Sequence, residues 1–118
     1  LESDPNKGKF GGSSTSNGRI LEARIVPAAG PRSAACKVTI SVRSTDPSRP
    51  LRGEVRFHLH PTFGKWTQYV VPVVGGIAQD VITAWGAFTI GAQPDGEKTP
   101  LELDLVDVPG GTEKFYSR

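Results

Sequence analysis

CKVTISVR, residues 36–43, puts Val38, Ile40 and Val42 on one side of an extended chain and Lys37, Thr39, Ser41 and Arg43 on the other. A period of two residues is the mark of a strand with one dry face and one wet face. The pattern repeats outward from this stretch. Upstream, RILEARIV (19–26) predicts another strand, joined to the first by the loop PAAGPRSAA. Downstream, the turn STDPSRP leads into residues 51–60, with Val55, Phe57 and Leu59 facing one way and Arg56, His58 and His60 the other. TQYVVPVV (67–74) is β-branched, and Pro72, lacking an N–H, predicts an edge strand or a bulge. IAQDVITAWGAFTIGA predicts two strands broken near Trp85 and Gly86. PDGEK reads as a hairpin turn. LELDLVDV then alternates again, with Leu101, Leu103 and Leu105 inward and Glu102 and Asp104 outward.

Seven or eight short strands at even spacing, with no helical periodicity, predict an all-β fold, an immunoglobulin-like antiparallel β-sandwich. A small barrel is the competing architecture. The 118 residues suit one domain. Glycine (14) and proline (10) fall mostly between the strand-like runs, where they favour turns. No internal repeat is visible. Residues 1–18 (LESDPNKGKFGGSSTSNG) are polar and rich in glycine and serine, and read as a partly disordered linker, its first residues as a candidate tag remnant. Phe10 is the one residue there able to anchor locally, and residues 19–118 are expected to form the domain.

A net charge of +2 with scattered basic residues lacks the concentrated stripe that nucleic acid requires. A lone Cys36 cannot form an internal disulfide, which points to a reducing compartment, the cytoplasm by default. No apolar run is long enough to span a bilayer, and no signal peptide stands at the start. Nothing in the composition calls for a cofactor.

Several side-chain groups suggest chemistry. His58 and His60, two apart on a strand, share a face and could ligate a metal if Asp80, Asp104 or Asp107 supplied a third ligand, but two histidines are not a closed set. Thr62 or Ser44 with His60 as base would serve a hydrolase, yet no nucleophile elbow accompanies them. Glu102 and Asp104 project from one face and read as solvated acids rather than a glycosidase pair. Phe63 follows the end of the central strand, and Trp85 is flanked by Ala84 and Gly86. If their two loops met at one end of a sandwich, the rings could bracket a planar guest, with the Thr62 hydroxyl oriented by His60 beneath it. The alternative is that both rings merely fill or cover the core.

LHPTF (59–63) followed by AWGAFTIGA (84–92), with LELDL (101–105) and the lead-in KFGG…NGRILEA, resembles the YEATS domain family, and its prokaryotic branch most closely. The resemblance spans residues 10–115 and is most specific between 53 and 105. It implies an immunoglobulin-fold reader of acylated lysine, acetyl or crotonyl, that is a binding module and not an enzyme. The family motif is a His, a Ser two residues later with an aromatic beside it, and a Tyr or Trp in a Gly/Ala-flanked loop. By that resemblance His60 orients, Thr62 supplies the hydroxyl, and Phe63 forms one wall of a cage. Trp85 forms the other wall and lends its backbone N–H to the acyl carbonyl, and Gly86 and Ala87 are the small residues of its loop. Thr62 stands where the family usually has Ser, and its methyl group narrows the slot. The loop at 27–35 carries no aromatic residue. The prokaryotic branch also implies other signalling or effector domains in a larger parent protein as partners.

Overall fold

A computed structural model describes residues 4–117. Eight strands form: β1 (Thr15–Ser16), β2 (Arg19–Pro27), β3 (Cys36–Ser44), β4 (Glu54–His58), β5 (Gln68–Pro72), β6 (Ile77–Ala84), β7 (Thr89–Gln93) and β8 (Leu101–Asp104). They make two antiparallel four-stranded sheets, ordered β1-β2-β3-β6 and β5-β4-β7-β8. The chain is therefore an immunoglobulin-like β-sandwich, as its alternation predicts.

The core follows directly from that alternation. Val38, Ile40 and Val42 of β3 are fully buried and face Val55 and Phe57 of β4, Ile90 and Ala92 of β7, and Leu101 of β8 in one continuous cluster. Burying each such aliphatic side chain is worth about 1.5–3 kcal/mol, so this shared layer is the main force joining the sheets. Cys36 is a free thiol within it. At one end of the sandwich Arg19, 4% exposed, grips Asp95 through Nε and Nη2, each 2.9 Å from a carboxylate oxygen. Asp95 sits at a positive φ of 58° in the β7–β8 turn and also accepts from the Thr99 hydroxyl.

Three strand ends differ from the sequence expectation. The central strand stops at His58, because Pro61 and the turn after it cannot continue a ladder. β5 ends at Pro72, and a single bridge between Val74 and Ile77 closes the following Gly75–Gly76 turn. As Pro72 foretells, β5 lies at the edge of its sheet. β8 ends at Asp104, whose carboxylate accepts the Val106 N–H and starts a single 3-10 turn at Leu105–Asp107.

The larger difference lies in the segment expected to be a linker. Its first three residues lie outside the described ones, but residues 4–12 pack on the outer face of the β5-β4-β7-β8 sheet, and Thr15–Ser16 then form β1 at the edge of the other sheet. His58, Gly91 and Glu102 stand side by side across β4, β7 and β8. The Phe10 ring lies directly on Gly91: a Cβ there would come within 2.4 Å of Phe10 Cδ2. The same ring stacks on His58, with centroids 4.5 Å apart. Glu102 is not a solvated acid. It is 7% exposed, and its two oxygens accept the backbone N–H groups of Gly8, Phe10 and Gly12. Low-complexity composition hid a segment whose anchors include the Phe10 ring and the Glu102 carboxylate. We refer to it as the N-terminal strap.

Candidate functional site

β4 and β6 both run to the same end of the sandwich. After β4, His60 keeps an extended backbone (φ −67°, ψ 146°) and caps the 3-10 turn Pro61–Trp66. Gly64, at φ 61° and ψ −122°, kinks that turn through a conformation only glycine adopts easily. After β6, the chain passes through Trp85, Gly86, Ala87 and Phe88 before entering β7. Phe88 is fully buried and joins the two loops: its centroid lies 6.0 Å from that of His60, edge-on, and 5.5 Å from that of Phe63. The Ala87 N–H donates to the Phe115 carbonyl at 2.9 Å, and Leu105 N–H to the Phe88 carbonyl at 3.0 Å, which fixes the second loop from behind. Phe115 belongs to the short helix α1 (Glu113–Ser117).

His60 is 6% exposed and its Nδ1 accepts the Thr62 N–H at 3.2 Å. The Thr62 hydroxyl lies 3.0 Å from the same nitrogen. With Nδ1 already an acceptor, the hydroxyl hydrogen points at His60 and the oxygen lone pairs face outward. Thr62 itself is exposed. A donor arriving from solvent thus meets an oriented acceptor.

The structure brings His60, Thr62 and Phe63 together on one loop and places Trp85 on the adjoining loop. Gly86 and Ala87 are buried behind Trp85. The Trp85 indole is 67% exposed, so it fills no core. Phe63 is half-buried and leans on Phe88; among the described residues its ring pairs with Phe88 and not with Trp85. Phe88 sits between the two loops, and among the described residues the Phe63 and Trp85 rings are not stacked on one another.

The other candidate sets separate. His58 stacks on Phe10 and bonds Gln93, whereas His60 engages Thr62, so the two imidazoles do not converge. Asp80 sits on the opposite sheet, and Asp104 pairs with Lys7 at 2.7 Å. Among the described residues no three His, Cys, Asp or Glu side chains gather as metal ligands would. Ser44 is held in its own turn, donating to the carbonyls of Asp46 and Arg49, at the far end of β3 from the Cys36–Ala84 pair that leads into Trp85.

Sequence reasoning missed a second feature beside the tip. Between the edges of β5 and β6 runs a groove of about 560 Å³ whose lining includes Phe63, Trp66, Tyr69 and Asp80. The Tyr69 hydroxyl donates to Asp80 Oδ2 at 2.6 Å, a bond from one sheet to the other. Burial, reinforced by that bond and the adjacent carboxylate, pushes the Tyr69 phenol far above its ordinary pKa. Trp66, 55% exposed in an otherwise polar stretch, was the available signal.

An eight-stranded sandwich whose β4 and β6 loops present HPTF and WGAF at one tip is a YEATS-like module. The model of the prokaryotic YEATS domain matches residues 36–106, more than half of the chain, and the chain belongs to that family. No curated protein and no solved structure matches it. Among the described residues no helix is long and apolar enough to cross a membrane.

Proposed function

We propose that this domain is a non-catalytic recognition module that takes a planar amide, an acetylated or crotonylated lysine, at the tip formed by the β4 and β6 loops. The observation that carries the reading is the oriented Thr62 hydroxyl on one loop and, on the adjoining loop, a solvent-facing Trp85 that fills no core. The acyl amide lies along the indole, its N–H donates to Thr62 Oγ1, and its carbonyl accepts from the backbone N–H at Trp85. Phe63 borders the site, and Gly86 and Ala87 leave room for the close approach. Acylation removes the lysine charge, and the two tip loops, 59–66 and 85–88, carry no carboxylate of their own to pair an unmodified ammonium, whose desolvation then costs several kcal/mol. Stacking returns about 1–3 kcal/mol, so binding by the isolated module is micromolar or weaker. The parent protein is a cytoplasmic signalling or effector protein in which this domain selects the partner.

The test is a titration of the labelled domain with peptides carrying acetyl-lysine, crotonyl-lysine or unmodified lysine, followed by NMR. The Trp85 indole resonance should move with the acylated peptides only. Trp85→Ala should abolish the shifts of the Thr62 and Gly86 amides that accompany it, while changing stability by no more than about 0.5 kcal/mol, as expected for an exposed residue. A Trp85 signal that stays still at about millimolar acyl peptide defeats the reading.

A further inference from the structure

β5 and β6 are each the last strand of their sheets, and both open onto the same groove. On β6, Ala78, Asp80, Ile82 and Ala84 share the core-facing side, and Asp80 stands opposite the fully buried Ile40 of β3. A carboxylate on an apolar face is costly unless it has partners. One oxygen of Asp80 accepts from Tyr69, and among the described residues Asp80 is the only charged one lining the groove. The wall opposite is aromatic: the Trp66 and Tyr69 rings stand at 87° to each other with centroids 5.9 Å apart, and Phe63 closes the end nearest the tip. Ring faces attract cations, and a carboxylate at the base supplies the counter-charge. The chain already uses half of this chemistry, since Lys65 Nζ lies 5.2 Å from the Trp66 ring centre. Among the described residues neither flanking strand edge has a strand partner, so their main-chain groups suit an extended segment laid alongside.

We propose that the groove between β5 and β6 binds a basic side chain, lysine or arginine, carried by an extended peptide segment lying along the strand edge. The ammonium or guanidinium pairs with Asp80, and its methylene stem lies against Trp66 and Tyr69. The site adjoins the tip, with Phe63 between them, and takes charged side chains, the class that the tip rejects.

The domain has two tryptophans, so two indole N–H resonances, assigned with Trp66→Phe and Trp85→Phe, report the groove and the tip separately. The probes are capped tripeptides Val-Lys-Val, Val-Arg-Val, Val-norleucine-Val and Val-Glu-Val. The Trp66 indole and the β6 amides should respond to the lysine and arginine peptides, with added salt weakening the response. Norleucine should bind about tenfold more weakly and glutamate not at all. Asp80→Asn retains an oxygen to accept from Tyr69 and should weaken lysine binding about tenfold. If that variant fails to fold, the lysine–norleucine contrast and the salt dependence in the unaltered protein still decide the matter. Equal responses to lysine and norleucine, no Trp66 response at about 10 mM peptide, or a shift confined to Trp85 would each overturn the proposal. So would a Trp66 shift driven by protein concentration alone, which would assign the groove to a second copy of the chain.

Discussion

Replacing Phe10 by Ala tests whether the strap belongs to the folded domain. The ring is 9% exposed, lies on Gly91 and stacks on His58. A buried aromatic side chain covers about 150–250 Å², worth roughly 4–6 kcal/mol at 25 cal/mol per Å². Alanine retains part of that, and Phe10 covers the outside of a sheet rather than filling an interior. A loss of about 2–4 kcal/mol is expected, near the lower end of core Phe→Ala changes. If the strap detaches without unfolding the sandwich, the loss stops at the strap's own docking energy. It then appears in hydrogen exchange of the Gly8, residue 10 and Gly12 amides, which now donate to Glu102. Their protection should fall about 30-fold or more, the equivalent of 2 kcal/mol. Far-UV circular dichroism suits the urea melt better than fluorescence, because Trp66 and Trp85 are both exposed in the native state. Gly91→Ala supplies the control: its Cβ would meet Phe10 at 2.4 Å and expel the ring. Each substitution alone should release the strap, and the second should then add little, a coupling of about 1 kcal/mol or more. Additive effects, or unchanged protection of those three amides in Phe10→Ala, would refute the reasoning.

Three further outcomes are expected. The Arg19 guanidinium, with help from Thr99, holds the Asp95 carboxyl below its usual range against the opposing effect of burial. A depressed carboxylate contributes stability above its unfolded pKa and loses it as pH falls through the folded value. Urea stability should therefore decline with acid below about pH 4, and Asp95→Asn should be less stable at neutral pH and show a shallower decline. Tyr69 has the opposite sense: its raised phenol contributes stability that is present below about pH 10 and lost as pH rises above it. Absorbance at alkaline pH should show Tyr69 ionising only as the domain unfolds, and the same delay in Tyr69→Phe would count against the assignment. Cys36 is fully buried, so a thiol reagent should modify it only through opening, with the logarithm of the rate rising linearly with added urea. Immediate modification in native buffer would contradict its placement.

What could be read in the sequence and what could not divide along a physical line. β3 was legible because one face of every second residue is dry, and that requirement is local. The tip motif was legible because residues near one another in sequence, His60 to Phe63 and Trp85 to Ala87, hold their own geometry. Glu102 was misread because alternation says which way a side chain points but not what lies over it. The cover comes from residues more than ninety positions earlier, and their glycine and serine content argues for disorder until Phe10 and Glu102 are seen together. Trp66, Tyr69 and Asp80 were missed for the same reason: the groove exists only where the edges of two sheets come together.

The strap also reaches the two tip loops. The Asn6 amide nitrogen lies 3.2 Å from the Leu59 carbonyl, one residue before His60, and Asp4 accepts from both the backbone and the hydroxyl of Thr89, one residue after Phe88. Both hinges of the tip are thus stitched by a stretch of chain far from them in sequence. Stitching of this kind works in both directions. If freeing those two residues weakens the proposed hold on a guest by some factor, a bound guest tightens the stitches by that same factor.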